Sequence, residues 1–384
     1  MNILLVEPPY RTKILPLGLQ KMATYFLDRG DNVKYIKGNL LRSGLIKNDF
    51  YPDEIYLTTL FTYFADIVIT SIKTYQRRFP KADLKVGGIL ASLMPEYIES
   101  NTGVISYFGL WKEVEDCLLN FSLFPATEKM MVFTSRGCIR KCEFCVVPII
   151  EPKFTITNNW QGQIQDAIKN GKKEIQIQDN NFLASPWNHQ CEVVLFLEKY
   201  GNNIRVDFNQ SLDCRLFKEK HAELLSKINT PIIRFAFDGM QEDGYFQNSM
   251  SLAKKYNLAK EYRVDVLWNF KEAPEDVWYR IREVLLSGGV VCPMQYRPIY
   301  SITKKYIGEK WNELTIKNFK QKLLHWARHG TGSISTGSKD VFDKIGRSAD
   351  EFVKMINTKQ YASYEKRESA ERKKKISFNL TRKT

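Results

Sequence analysis

The chain has 384 residues, of which 43% are hydrophobic and 26% are charged, as is typical of a globular protein with two or three domains. No apolar stretch approaches the roughly 20 residues of a membrane-spanning helix, which argues against an integral membrane protein. The formal net charge of +14 favours polyanionic partners or acidic substrates.

Residues 1–125 alternate between strand-like and helix-like patterns. The apolar run Ile3–Val6 predicts a buried strand, and the prolines that follow it predict a turn. Helical spacing of apolar residues predicts a helix over Leu17–Asp28. Strand–helix alternation is typical of a parallel sheet with helices on both faces, so we predict a doubly wound, Rossmann-like domain. Its further strands are predicted at Val33–Ile36, Glu54–Thr59, Leu84–Gly88 and Val104–Phe108.

The alternation starts again near Met130 and predicts a second α/β domain over residues 126–300. Its six strand–helix units are too few for a closed eight-stranded barrel, so we predict a partial (β/α)6 barrel with its chemistry at the C-terminal strand ends. A helical C-terminal extension is predicted over 301–360 and a basic tail over 361–384. The six strands are predicted at Met130–Thr134, Glu174–Gln178, Ile204–Phe208, Ile232–Phe237, Arg263–Trp268 and Val290–Gln295.

The seven cysteines do not form the pattern of a secreted disulfide scaffold, which is shorter and denser in cysteine. A reducing, cytoplasmic location is therefore expected. Cys138, Cys142 and Cys145 lie within eight residues, directly after the first strand of the second domain.

Three cysteines in the spacing Cys-x3-Cys-x2-Cys suit a [4Fe–4S] cluster, because three thiolates leave one iron with an open position. Nearby arginine and lysine side chains favour thiolate over thiol. The alternative is a structural zinc site, which needs a fourth ligand. Cys117 is the nearest candidate for that ligand, 21 residues before Cys138.

The triad and the strand–helix units over residues 130–300 resemble the radical S-adenosylmethionine (SAM) superfamily. The resemblance implies that Cys138, Cys142 and Cys145 bind the cluster and that its open iron chelates SAM. It implies that one electron cleaves SAM to methionine and a 5′-deoxyadenosyl radical. Phe144 matches the aromatic residue that borders the adenine in this family.

Polar residues at the predicted strand ends are the further candidates for cofactor binding. The stretch after the second strand resembles a subgroup with Asp-Asp-Asn-Phe-like residues, whose polar groups accept the SAM ammonium. Arg215 is a fork donor suited to the SAM carboxylate. Each of these residues could instead form an ordinary turn or salt bridge. The candidates are Asp179, Asn180, Asn181, Gln210, Asp213, Arg215, Asp238 and Arg297.

Residues 1–125 resemble the cobalamin-binding-like domain that precedes the barrel in one radical SAM subgroup, on the stretches Glu7–Tyr10, Pro16–Leu19 and Val86–Glu96. The Asp-x-His-x-x-Gly motif of that subgroup is absent, and these residues contain no histidine. We therefore expect a degenerate domain that shapes the substrate site. The domain contains Cys117 as its one cysteine, so the second cluster of a methylthiotransferase is not expected.

The sequence thus predicts an enzyme that cleaves SAM at a single cluster and abstracts hydrogen from a substrate, a nucleic-acid base or precursor. Alternatives are a cobalamin-dependent radical methyltransferase and a peptide-modifying enzyme. A reducing partner such as flavodoxin or ferredoxin would supply the electron. The alternative from another class is a nucleic-acid-binding protein with a structural metal, because the tail from Tyr361 carries eight Lys/Arg and three Glu. That tail could equally be a solvated terminus.

Overall fold

The structure is a computed structural model that describes residues 1–12, 14–39, 50–326 and 341–358. The predicted basic tail lies outside the described residues, and the domain boundaries drawn from the sequence stay predictions. The chain forms two compact units. The first comprises Met1–Ile233, Tyr256–Lys260 and Arg297–Lys305, and the second comprises Arg234–Lys255, Glu261–Tyr296 and the described residues from Tyr306 onward.

The N-terminal part of the first unit contains a four-stranded sheet in the order β2-β1-β3-β4, with all neighbouring strands parallel. Its elements are β1 (Asn2–Glu7), α1 (Leu17–Asp28), β2 (Asn32–Lys37), β3 (Glu54–Thr59), α2 (Ala65–Arg78), β4 (Asp83–Gly88), α3 (Ile89–Leu93), α4 (Pro95–Thr102) and α5 (Lys112–Glu115).

The central strand β1 explains why this sheet is covered on both faces. All four residues of its apolar run are fully buried. Because successive side chains of a strand point to opposite faces, Leu4 and Val6 pack in one core with α2, while Ile3 and Leu5 pack in another with α1. The predicted α/β class and the N-terminal parallel sheet are confirmed.

The predicted strand Val104–Phe108 is wrong, because the structure has no strand there. The segment runs beside β4, where the Tyr107 backbone N–H donates to the Val86 carbonyl at 2.7 Å. Ile105 and Phe108 are 80% and 57% exposed. The apolar composition of this stretch therefore does not indicate a buried strand.

The first unit continues with a three-stranded parallel sheet in the order β5-β8-β9 and a short antiparallel pair, β6 with β7. Because the three strands are parallel, the segments that follow them meet at one edge of the sheet. The elements are β5 (Lys129–Val132), β6 (Ser135–Arg136), α6 (Val147–Ile150), β7 (Thr155–Ile156), α7 (Trp160–Lys169), β8 (Glu174–Ile177), α8 (Trp187–Glu198), β9 (Arg205–Phe208) and α9 (Glu219–Leu225).

The remaining elements include a second three-stranded sheet in the order β10-β11-β12, in which β11 and β12 are parallel. All six predicted strands of residues 126–300 are thus present. Across the described ranges, none of the helices has the length and apolarity to cross a membrane. The elements are β10 (Ile232–Ala236), α10 (Tyr245–Lys255), β11 (Glu261–Trp268), α11 (Pro274–Leu286), β12 (Val290–Gln295), α12 (Glu313–Trp326), α13 (Val341–Ile345) and α14 (Ala349–Asn357).

Candidate functional site

The three clustered cysteines lie on one loop, residues 137–154, which we call the cysteine loop. Its two ends are joined by the β6–β7 pair, in which Ser135 lies opposite Ile156. Gly137 begins the loop with φ +78°. A Cβ at this position would lie 2.3 Å from the Lys153 carbonyl oxygen, so a residue with a side chain would push the two ends apart. The sequence therefore needs glycine directly before Cys138.

All three cysteines are partly buried and free of disulfides. The Arg140 backbone N–H donates to the Cys138 sulfur at 3.3 Å, and the Cys145 N–H donates to the Cys142 carbonyl at 3.0 Å. Phe144 is half-buried on the same turn. Among the described residues no group of three or more His, Cys, Asp or Glu is arranged around one metal ion. A four-iron cluster does not require such a group, because each thiolate binds a different iron.

Asp179 fixes the chain just before the cysteine loop. Its buried carboxylate accepts hydrogen bonds from the Thr134 N–H at 2.6 Å, the Thr134 hydroxyl at 2.5 Å and the Ser135 hydroxyl at 2.8 Å. Burial raises the pKa of Asp179, and these donors oppose that rise. His189 Nε2 lies 3.0 Å from the Thr134 oxygen. Burial lowers the pKa of His189.

Asp213 gathers three side chains at the end of β9. Its carboxylate accepts from Arg140 Nε at 2.9 Å, from Arg215 Nε at 2.7 Å and from Asn181 Nδ2 at 3.2 Å. Burial alone would raise the pKa of Asp213, but Arg215 and Arg140 outweigh it and hold that pKa below its usual value. These contacts join the segments after β8 and β9 to the cysteine loop.

The Asn181 side chain reaches a cysteine directly. Its Nδ2 lies 3.6 Å from the Cys138 sulfur, within hydrogen-bond distance for sulfur. Its Oδ1 is buried and accepts no hydrogen bond from the protein. A buried acceptor without a donor is unfavourable, so this oxygen is suited to a donor group that a ligand brings. An ammonium group next to the cysteine loop would satisfy it.

A carboxylate–arginine network closes the other side of the loop. Arg136 donates from Nε and Nη2 to Glu115, at 2.9 and 3.1 Å, and from Nη1 to Glu151 at 3.3 Å. The second oxygen of Glu151 accepts from the Gly137 N–H at 3.1 Å and from Asn180 Nδ2 at 2.8 Å. Asn180 therefore supports the start of the loop.

The other predicted residues have different surroundings. Gln210 donates to Gln178 at 2.8 Å, at the end of β8. The Arg297 guanidinium lies 4.5 Å from the centre of the Tyr63 ring, and its Nε is buried without an acceptor. Asp238 belongs to the second unit, where burial, Glu242 and Asp265 raise its pKa to about 8.

The structure thus brings together Cys138, Asn181, Asp213 and Arg215, with Asp179 and Asn180 supporting the loop. The prediction that all of these residues bind the cofactor stays a prediction. Sequence reasoning missed Thr134, Ser135, Glu115 and Glu151. The first two stand directly before the motif, and that position was the signal for finding them. No sequence signal pairs the two glutamates with Arg136.

Comparison with solved structures shows that the chain has the fold of radical SAM enzymes, as the sequence predicted. It superposes on TsrM from Kitasatospora setae, a radical SAM methyltransferase with cobalamin and a [4Fe-4S] cluster bound, with a TM-score of 0.64 and 14% identity. The match covers 78% of this chain and 76% of that one. The likeness to SAM-bound SuiB from Streptococcus suis is too low to carry an argument, with a TM-score of 0.38, 15% identity and coverage of 60% and 52%. No protein family model and no curated protein sequence matches the chain.

Proposed function

We propose that the chain is a radical SAM enzyme in which Cys138, Cys142 and Cys145 hold one [4Fe–4S] cluster. The observation that carries the proposal is the cysteine loop, where three cysteines outside any disulfide lie on one loop whose ends the protein itself closes. Thiolate ligands fit the site, because backbone and amide N–H groups point at the Cys138 sulfur. When bound, the cluster supplies the electron that cleaves SAM.

The surrounding residues then have distinct roles. Asn181 Oδ1 accepts from the SAM ammonium, and the Arg215 guanidinium binds the SAM carboxylate. Phe144 borders the adenine. Asp179 holds the start of the loop through Thr134 and Ser135. Asn180, Gln210 and Arg297 complete the proposed cofactor site in the first unit, and the partial (β/α)6 barrel is the proposed frame. The contact of Asp238 with the cofactor stays a prediction.

For the reaction on substrate, we favour methyl transfer with cobalamin over hydrogen abstraction without it. The fold match supports this choice, because it extends over 78% of the chain and is to a structure with cobalamin bound. Residues 1–125 contain no histidine, so a cobalamin there would have no imidazole ligand from this domain.

Hydrogen abstraction by the 5′-deoxyadenosyl radical is the second candidate. It is favoured by the same histidine-free domain, which fits a domain that lost its cofactor and now shapes the substrate site. In both cases a flavodoxin- or ferredoxin-like partner supplies the electron in a reducing compartment such as the cytoplasm. A nucleic-acid base, its precursor or a peptide is the proposed substrate.

Anaerobic reconstitution tests the proposal. The protein should bind about four irons and release methionine and 5′-deoxyadenosine, or S-adenosylhomocysteine for methyl transfer, from SAM and a reductant. Cys142→Ala should abolish the cluster and turnover, whereas Cys191→Ala, a half-buried cysteine of α8, should keep both. One zinc per chain and no SAM cleavage would overturn the proposal.

The same reconstituted samples distinguish the two candidate reactions. Corrinoid absorbance that survives gel filtration, together with transfer of a labelled SAM methyl group, would select the methyltransferase. SAM cleavage that is unchanged by added cobalamin would select hydrogen abstraction. Nucleosides, nucleic acids and peptides are the substrates to screen.

A further inference from the structure

Two N–H donors to the Cys138 sulfur are tied to one carboxylate. We propose that Asp213 is a positioning residue that orients Asn181 and Arg140 onto Cys138 and thereby raises the reduction potential of the cluster. This inference rests on the proposed function, since it needs the cluster. In this role Asp213 acts on the cluster through the Cys138 sulfur, which is distinct from a contact with SAM.

The geometry places both donors under the control of Asp213. Asn181 Nδ2 lies 3.6 Å from the sulfur and 3.2 Å from Asp213 Oδ2. Arg140 donates its Nε to the same carboxylate oxygen at 2.9 Å, while its own backbone N–H lies 3.3 Å from the sulfur. One oxygen atom thus sets the position of an amide side chain and of the turn that follows Cys138.

Asp213, Asn181 and Arg140 come from separate parts of the chain, so their contacts do not follow from closeness in sequence. Asn181 is 32 residues and Arg140 is 73 residues from Asp213 along the sequence. Arg215, only two residues away, already forms a two-bond ion pair with this carboxylate. The contacts to Asn181 and Arg140 therefore exceed what charge neutralisation of Asp213 requires.

Burial makes the two donors effective. Asn181 is 5% exposed and Asp213 is 8% exposed, so water does not compete strongly for either group. Hydrogen bonds to cluster sulfurs stabilise the more negative, reduced state, and they are among the terms that set the potential of an iron–sulfur cluster. Removing them makes the cluster harder to reduce.

The test is the midpoint potential of the reconstituted cluster, measured by EPR-monitored titration without SAM. Asp213→Glu keeps the negative charge but moves the carboxylate away from its place against both donors, and Asn181→Leu removes one donor at similar volume. We expect each variant to lower the equilibrium constant for reduction about tenfold, a shift of about 59 mV to more negative potential. Asn209→Leu is the matched control, since Asn209 follows β9 and donates to Gln178.

The outcomes separate this inference from the proposed function. If the wild-type protein binds no cluster, the proposed function fails. If all proteins bind about four irons but Asp213→Glu and Asn181→Leu keep the wild-type potential, the inference alone is overturned. If Asp213→Glu does not fold, the potential of Asn181→Leu decides the outcome. The double variant should shift by less than the sum of the single variants, because Asp213 acts partly through Asn181; an additive shift would also count against the inference.

Discussion

Gly137 allows a quantitative prediction about the cysteine loop. Replacing it by alanine places a Cβ at φ +78°, 2.3 Å from the Lys153 carbonyl oxygen and 2.8 Å from its carbon. The left-handed backbone costs a residue with a Cβ roughly 1–2 kcal/mol. Forcing a methyl group into packed backbone costs about 1–3 kcal/mol more. Gly137→Ala should therefore lower the free energy of unfolding by about 2–5 kcal/mol.

Gly171 is the matched control for this prediction. It has φ +76°, and no heavy atom lies within 4 Å of its ideal Cβ. Gly171→Ala should therefore lower the free energy of unfolding only by the strain of the left-handed backbone, roughly 1–2 kcal/mol. Urea titration of the apo-protein measures both free energies of unfolding. Iron content after reconstitution shows whether the cysteine loop still binds the cluster. Gly137→Ala should bind less iron than Gly171→Ala. Equal destabilisation together with full iron content in both variants would refute the close approach at Gly137.

Three further predictions concern the residues around the loop and α9. Arg136→Met should lower the free energy of unfolding by about 3 kcal/mol, the lower end of the range for a broken buried ion pair, because it leaves the Glu115 carboxylate without its partner. Arg136→Lys should lower it by less, and equal urea midpoints for the two variants would contradict this prediction. Asp179→Asn should lower the free energy of unfolding by about 1–3 kcal/mol and reduce iron content, because an amide cannot accept from every Thr134 and Ser135 donor. Full iron content at unchanged stability would contradict this prediction. For His221, burial lowers the pKa to about 4. Its neutral form stabilises the fold above the unfolded pKa of 6.5, and this contribution is lost as pH falls towards 4, so the difference in Tm between wild type and His221→Gln should shrink over that range. A constant difference would show that this imidazole does not titrate in that window.

The sequence predicts the sheets well because their signal is local. The buried strand β1, for example, is visible in the sequence as the apolar run Ile3–Val6, and the observed strands begin and end within a few residues of the predicted ones. The failure at Val104–Phe108 has a physical cause. Composition indicates strand propensity, but a strand also needs a partner along its length, and this segment stays exposed beside β4.

The site was harder to predict because its contacts are distant in sequence. The spacing of the cysteines identifies the loop, yet Asp179 reaches Thr134 across 45 residues and Arg136 reaches Glu115 across 21. A carboxylate at a strand end can meet a ligand, a backbone N–H or an arginine, and only the fold decides which. For Asp179 the structure shows hydroxyl and backbone partners, and its contact with the cofactor stays a prediction.

The closure of the cysteine loop has a consequence for how the metal centre is built and repaired. Protein contacts alone join residues 136 and 155, so the entropic cost of bringing the loop ends together is met when the chain folds. The three thiols are thereby kept at high local concentration before any iron arrives. Cluster insertion is then a local event on a folded surface. We expect that loss of the cluster in air leaves a folded protein whose loop can be reloaded, provided that the thiols are reduced again.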